Sequence, residues 1–180
     1  MKRKNRIIIG LLAAADVLFC IIQFLIIPNI QEKQDDYDRH QTDALTHDIT
    51  AIEDYRSAYV GNASNIGGLF EHLPLSDISR KYEIDSDNCI LTVYYLDADW
   101  SRGREKVRRD LIYNSAAAMA AIDNLEGIVY HFAGETYSFD RQQIEDVFGS
   151  PLSDLLTPDT WHDAVQTKLS PEEFCRQFYE

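Results

Sequence analysis

The chain begins with the feature that most restricts its architecture, a basic cluster followed by a long apolar run. Residues 1–6 carry four fixed positive charges, and residues 7–27 read IIIGLLAAADVLFCIIQFLII before Pro28. A helix of this length, at about 1.5 Å per residue, spans roughly 30 Å, the thickness of the hydrocarbon core of a bilayer. Because basic residues beside a membrane helix stay in the cytoplasm, the sequence predicts a cytoplasmic tail (1–6), a transmembrane helix (7–27) and an extracytoplasmic remainder in the cell membrane.

A cleaved signal peptide is the competing interpretation of this segment. Such a peptide has an apolar core of about 7–15 residues that ends at a site of small residues. The alanines at 13–15 offer a site, but the apolar run resumes at Val17, so cleavage would leave an apolar amino terminus. Lipidation at Cys20 is disfavoured by the bulky Phe19 before it. We therefore expect an uncleaved anchor.

One acidic residue interrupts the apolar run. Asp16 lies near its middle, where an acid costs about 2.5–3.5 kcal/mol on insertion scales. The surrounding apolar residues can offset that cost, so Asp16 is either a tolerated, partly protonated acid or a polar contact to a second membrane helix. Both interpretations stay open, and the second makes another membrane protein a candidate partner.

The residues beyond the predicted anchor are strongly acidic and numerous enough for one domain with its own core. Residues 1–27 carry a net charge of +3 and the remainder carries −16, which gives the formal charge of −13. A domain this acidic repels nucleic-acid phosphates, so no nucleic-acid partner is expected. Cationic peptides, basic protein faces or divalent metals suit this charge, although net acidity also serves solubility.

Two cysteines follow the anchor, Cys89 in a predicted strand and Cys175 in a predicted terminal helix. In an oxidising compartment they could form one disulfide. They could instead remain buried thiols that act as small apolar residues, and we favour this second interpretation.

A polar stalk (28–44) is predicted between the anchor and the domain (45–180). From residue 45 onward apolar side chains recur at helical spacing, which predicts a helix over residues 45–59 that packs on the core. The recurring residues are Leu45, Ile49, Ile52, Tyr55 and Tyr59. His40 and His47 are seven residues apart without a third metal ligand near them, so we expect both to be solvated.

The remaining chain alternates short strands and helices. Predicted strands cover residues 80–84, 89–96, 127–133 and 136–139, and predicted helices cover residues 65–72 and 104–122. Both alternations of residues 89–96 are apolar, which is typical of a central, largely covered strand. Asp140 and Gln143 form a capping box, as do Ser170 and Glu173, and serine or threonine precedes proline at Ser150, Thr157 and Ser170, so several short helices should end the chain. The order predicts an α+β domain, with about four mainly antiparallel strands packed against helices.

Motifs for catalysis or for a cofactor are weak throughout the sequence. Asp97 and Asp99 alternate near a predicted turn, and together with His131 they could serve a cell-envelope, metal-assisted hydrolase. A solvated turn explains the same two acids with fewer assumptions. We therefore predict no catalytic residue, no metal and no cofactor, and keep the hydrolase as the alternative function.

One segment stands out as a candidate interaction or structural motif. Its residues are Tyr59, Val60, Gly61, Asn62, Ser64, Leu73 and Pro74. Gly61 suits a helix stop with positive φ, Ser64 suits the N-cap of the next helix, and Leu73 should pack on the core with Leu69. Asn62 is expected to be a solvated turn residue.

The pattern Tyr-Val-Gly, Ser and Leu-Pro in this segment resembles a family of Gram-positive bacterial domains of unknown function. Asn62 and Ala63 stand where that family usually has an acid and an amide. The resemblance implies a domain that follows one membrane helix, or that is appended to membrane peptidase receptors of the antibiotic-sensing type, and it implies no activity. Our leading expectation is an extracytoplasmic interaction or sensory domain without catalytic activity.

Overall fold

The computed structural model describes residues 17–179 together with Ile8, Leu11 and Ala15. It divides into two compact units, Met1–Arg39 and His40–Glu180. In the first unit a π-helical segment, Ile22–Ile26, leads into helix α1, Ile27–Gln41, which ends just inside the second unit. Large apolar side chains of residues 17–26 are exposed, such as that of Phe24 at 75%.

The predicted transmembrane helix falls only partly on described residues, and Asp16 lies outside them. Within the described part of the chain, none of the helices combines the length and the apolar character that crossing a bilayer requires. The anchor therefore stays a prediction.

The second unit begins with a turn where the sequence predicted a helix. The prediction of a helix over residues 45–59 is wrong, because the chain turns after Gln41 and then forms a short 3-10 helix, Ile49–Tyr55. The Asp48 carboxylate caps this helix by accepting a hydrogen bond from the Thr50 amide at 3.0 Å. The apolar residues at helical spacing do not form one buried face, since Ile49 and Ile52 are buried while Tyr59 is 72% exposed.

A four-stranded sheet forms one layer of this unit. After helix α2 (Ala63–Glu71) come β1 (Arg80–Asp85), β2 (Ile90–Tyr95), helix α3 (Arg104–Ala121), β3 (Gly127–Phe132) and β4 (Glu135–Asp140). The strand order is β1-β2-β3-β4, and the two outer pairings are antiparallel, as expected. The central pair β2–β3 is parallel, because α3 carries the chain back to the starting end of the sheet. The α+β class is thus confirmed, with a mixed sheet.

Helix α3 is the centre of the hydrophobic core. All its residues from Asp110 to Ala121 are buried, and its alanine-rich second half lets neighbouring elements approach closely. The elements after the sheet are short: α4 (Arg141–Phe148), a 3-10 turn (Leu152–Leu155), α5 (Pro158–Trp161), a π-helical turn (His162–Gln166), α6 (Thr167–Leu169) and α7 (Glu172–Arg176). The 3-10 turn, α4 and α7 contact α3, so α3 is covered by helices as well as by the sheet.

The predicted caps of the short helices are only partly correct. Asp140 caps α4, since its Oδ1 accepts a hydrogen bond from the Gln143 amide at 2.7 Å. The Ser150 hydroxyl instead donates to the Gly149 carbonyl, and prolines occupy the N-cap positions predicted for Ser150 and Ser170. Thr157 occupies an N-cap position, but its hydroxyl donates to Thr160 Oγ1 and not to the helix backbone.

The two cysteines are free thiols, as we favoured, although Cys89 is half-buried where a buried thiol was predicted. Cys175 is buried, and its thiol donates to the Leu169 carbonyl. Cys89 is not in a strand but in the turn before β2, with φ of 56°. A disulfide between them is therefore absent from the structure.

Candidate functional site on the open face of the sheet

The sheet packs on the helices with one face and leaves its other face open. Along β2 and β3 fully buried residues alternate with half-buried ones, and along β4 they alternate with exposed ones. The prediction that β2 is a central, largely covered strand is confirmed for its place inside the sheet, but its outward residues are only half-buried. The outward residues are Lys81, Glu83 and Asp85 on β1, Ile90, Thr92 and Tyr94 on β2, Gly127, Val129 and His131 on β3, and Thr136, Ser138 and Asp140 on β4.

Side chains at one end of the open face form an ordered aromatic and polar row. Tyr94 and His131 are direct cross-strand neighbours, and their rings stack with centroids 4.7 Å apart. The Thr136 hydroxyl lies 3.0 Å from Nδ1 of His131. The Tyr94 hydroxyl donates to Glu83 Oε2 at 2.9 Å, and this hydrogen bond raises the pKa of Tyr94. These contacts hold both rings in place.

The other end of the open face is acidic. Asp85 and Asp140 end the two edge strands, and Asp87 and Glu126 lie in the adjoining loops. Hydrogen bonds donated by the Asn88 side chain and backbone hold the pKa of Asp85 below its usual value. Among the outward strand residues Glu83, Asp85 and Asp140 are acidic and Lys81 is the one lysine or arginine, and Asp87 and Glu126 in the loops bring the carboxylates to five.

The predicted motif lies elsewhere, at the carboxyl end of α3. Ser57 bridges to the end of this helix, with its amide donating to the Ala121 carbonyl at 2.8 Å. Val60 is buried, and its amide donates to Asn124 Oδ1 at 2.7 Å. The Tyr59 side chain, between Ser57 and Val60, is 72% exposed to solvent. The motif therefore holds the chain against the end of α3.

Two roles predicted within the motif are wrong. Gly61 does not have a positive φ, because the preceding helix already ends at Tyr55 and no helix stop is needed there. The N-cap of α2 is Asn62 and not Ser64, since Asn62 Oδ1 accepts a hydrogen bond from the Asn65 amide at 3.1 Å. Ser64 lies within the first turn of α2.

The far end of the motif belongs to the core, as expected. Leu69 and Leu73 are fully buried. The carbonyl of Pro74 accepts a hydrogen bond from the buried Asn114 amide on α3, at 2.7 Å. Leu73 and Pro74 thus attach the end of α2 to the central helix.

A glycine pair in α2 has a packing role that the sequence left unassigned. A Cβ atom on Gly68 would lie 2.2 Å from Cε1 of Tyr55, whereas a Cβ on Gly67 would have no atom within 4 Å. The Tyr55 ring therefore packs directly on the backbone of α2. Two adjacent glycines inside a helix are a signal for such a close approach.

Asp97 and Asp99, the two acids of the hydrolase alternative, lie in one loop, and Asp99 makes hydrogen bonds within that loop. Asp99 Oδ1 accepts hydrogen bonds from the amide and the hydroxyl of Ser101, and these bonds lower its pKa. Asp97 has φ of 55° in the same loop, while His131 lies on the open sheet face. Across the described residues, no three His, Cys, Asp or Glu side chains are grouped so that they could hold a metal ion.

A buried polar cluster that the sequence did not predict holds His47 in the core. Its Nε2 lies 2.5 Å from the His72 carbonyl and its Nδ1 lies 2.8 Å from the Tyr113 hydroxyl. Because a carbonyl only accepts, Nε2 carries the proton and Tyr113 donates to Nδ1, while the Trp161 indole donates to the Tyr113 oxygen at 3.1 Å. Burial lowers the pKa of His47 to about 4. The expectation of a solvated His47 is therefore wrong.

Asp110 on α3 also helps to hold the segment that contains His47. Its carboxylate accepts hydrogen bonds from the Ala44 amide at 3.1 Å and from Lys106 Nζ at 2.8 Å, and burial raises its pKa to about 6. The Gln166 side chain donates to the carbonyls of Ala44 and His47, both at 2.9 Å. These groups fix the backbone of residues 44–47 and leave the open sheet face as the best candidate for binding.

Comparison with known proteins adds a family to this geometry. Neither the curated proteins nor the solved structures gave a significant match. The sequence profile described as "Domain of unknown function (DUF4825)" matches residues 52–142, which include the motif, α3 and the whole sheet. The chain therefore belongs to the DUF4825 family of domains of unknown function.

Proposed function

We propose that the protein is a single-pass, membrane-anchored domain that recognises another protein through the open face of its sheet and has no catalytic activity. The observation that carries the proposal is this face, on which a stacked Tyr94–His131 pair and the apolar side chains of Ile90 and Val129 lie outside the helical layer. Large, held aromatic side chains beside apolar ones are typical of protein recognition surfaces.

The anchor is supported by the amino-terminal sequence. Its basic start and apolar run have the charge order and the length of a membrane helix with its amino terminus in the cytoplasm. The large apolar side chains exposed in residues 17–26 suit a lipid environment better than water. The resemblance to Gram-positive domains that follow one membrane helix points the same way.

A binding role is supported over catalysis by how the titratable groups are used. The pKa values of His47 and Asp110 are strongly perturbed. Both side chains are used in the core, since His47 donates to the His72 carbonyl and Asp110 accepts from the Ala44 amide. Asp99 organises its own loop. No observation favours the metal-assisted hydrolase.

Photo-crosslinking from the open face tests the binding role. A benzophenone amino acid replaces Thr92, at the centre of the face, or Asp163, which is exposed on the helical layer and serves as the control. In native membranes we expect a light-dependent protein adduct from position 92 and none from position 163. Equal adducts from both positions, or none from position 92, would contradict the proposal.

Protease added outside intact cells whose wall has been removed tests the anchor. We expect the residues after Pro28 to be digested and the amino-terminal peptide to be recovered uncleaved by mass spectrometry. Protection of the domain, or a mature chain that begins near Asp16, would contradict the anchored topology.

A further inference from the structure

We propose that the partner binds the open face with a cationic segment, in which lysine or arginine residues lie beside apolar ones. The proposal rests on the proposed function and adds the chemistry of the partner. The face offers two complementary parts, an apolar and aromatic centre and an acidic margin, and one segment that carries both kinds of residue would contact them together.

The centre of the face combines apolar and aromatic side chains. Ile90 and Val129 lie on the two middle strands, with Thr92 between them and the Tyr94–His131 pair at one end. The outward residues of these strands are half-buried by their neighbours, so a partner covers them without first ordering long side chains. Apolar contact at this centre gives the segment its affinity.

The margin supplies the charge. Glu83, Asp85, Asp87, Glu126 and Asp140 lie on the edge strands or in the loops at one end. Within the described residues none of these five makes an ion pair with lysine or arginine, whereas acids elsewhere do, for example Asp77 with Arg102 and Glu145 with Arg141. Glu83, Asp85 and Asp140 accept hydrogen bonds from uncharged groups, so in the described part of the chain all five carboxylates keep their negative charge without a cationic neighbour. Such carboxylates beside an apolar centre favour a cationic partner and disfavour an acidic one.

The same charges argue against the other occupants of such a face. Two copies of the face would place like charges against each other, and anionic lipid headgroups or nucleic-acid phosphates would be repelled. The whole region beyond residue 27 carries −16 at neutral pH, so long-range attraction also steers a basic segment toward it.

Peptide binding to the full-length chain in a non-ionic detergent tests the proposal. The probe is a fluorescent peptide that alternates lysine with valine, and it is compared with a lysine–serine peptide of equal charge and with a glutamate–valine peptide. Anisotropy is measured at about 150 mM salt, where long-range attraction is screened, and empty micelles correct for detergent binding. We expect the lysine–valine peptide to bind at least about tenfold more tightly than either other peptide, a difference of roughly 1.4 kcal/mol.

Variants locate the binding. Glu83→Lys and Val129→Lys should each weaken the lysine–valine peptide roughly tenfold. Asp163→Lys changes the net charge of the chain as Glu83→Lys does, but on the helical layer, and should leave affinity nearly unchanged. Circular dichroism checks that each variant is folded. Equal weakening by Asp163→Lys and Glu83→Lys, or equal affinity for the lysine–serine peptide, would overturn the proposal by showing unspecific charge attraction.

The crosslinking experiment separates this inference from the proposed function. A partner adduct at position 92 without peptide binding overturns the cationic segment and leaves the binding role intact. An adduct of twice the mass of the chain identifies a second copy as the occupant and also overturns it. Absence of both adduct and peptide binding contradicts the two proposals together.

Discussion

The close packing of Tyr55 on α2 makes opposite predictions for two adjacent glycines. Alanine at either position gains about 0.5–1 kcal/mol, because glycine inside a helix is destabilising. At Gly67 nothing lies within 4 Å of the new Cβ, so Gly67→Ala should stabilise the domain by that amount. At Gly68 the new Cβ would lie 2.2 Å from the Tyr55 ring, and overpacking of this kind typically costs about 1–3 kcal/mol.

The Tyr55 ring cannot move aside cheaply. It packs against the His72 ring with centroids 4.9 Å apart, and the Tyr55 carbonyl accepts a hydrogen bond from the Asn65 side chain at 2.6 Å. Since both variants gain the same helix propensity, the difference between them isolates the clash. We therefore expect Gly68→Ala to be less stable than Gly67→Ala by about 1–3 kcal/mol.

Urea unfolding of the full-length chain in a mild detergent measures this difference, with the fluorescence of the buried Trp161 as the signal. The Tyr55→Ala background supplies the control, because without the ring Gly68→Ala should become stabilising, as Gly67→Ala is. Equal stability of the two single variants would refute the packing of Tyr55 on Gly68. A clash that persists without Tyr55 would assign it to another neighbour.

Three further predictions use the same unfolding measurement. Asn62→Ala removes the N-cap of α2 and should cost about 1 kcal/mol, whereas Ser64→Ala should be nearly neutral; the reverse order would restore Ser64 as the cap. Leu73→Ala should cost about 2–5 kcal/mol as a core truncation, and a cost below about 1 kcal/mol would place Leu73 outside the core. Because the pKa of His47 is lowered to about 4, its contribution to folding stability is present above about pH 6.5 and is lost as the pH falls toward 4. Because the pKa of Asp110 is raised to about 6, its contribution to folding stability is present below about pH 4 and is lost as the pH rises toward 6. The two contributions, each about 3 kcal/mol, change in opposite directions, so the free energy of unfolding of the wild-type chain should be nearly constant between about pH 4 and 6. The His47→Gln variant keeps only the Asp110 contribution and should become more stable as the pH falls through this range. If its stability instead changes with pH as that of the wild-type chain does, His47 does not titrate at low pH.

The sheet and α3 could be predicted from the sequence because local signals and tertiary packing agree there. The four strands and α3 lie within a residue or two of their predicted bounds, since turn residues such as Asp87 and Gly134 separate runs of clear periodicity. The parallel pairing of β2 and β3 was not predicted, because strand direction depends on how α3 crosses the sheet and leaves no local trace.

The open face shows where hydrophobic pattern alone is insufficient. Apolar residues on both alternations of β2 predicted a largely covered strand, yet in the structure Ile90 and Tyr94 face away from the helices and are only half-buried. A continuous apolar pattern indicates only that both faces avoid water in the working state of the protein. A partner that covers one of them satisfies the same pattern, and this agreement links the sequence of β2 to the proposed binding surface.

The wrong helix over residues 45–59 has a different cause, which is side-chain hydrogen bonding across the fold. The spacing of Leu45, Ile49 and Ile52 fits a helix, but Asp110 accepts the Ala44 amide and Gln166 donates to the Ala44 carbonyl. Buried polar groups are costly unless they are paired, so these partners from distant parts of the chain select the turn over the helix. The same pairs hold residues 44–47 against α3 and against the π-helical turn that carries Gln166.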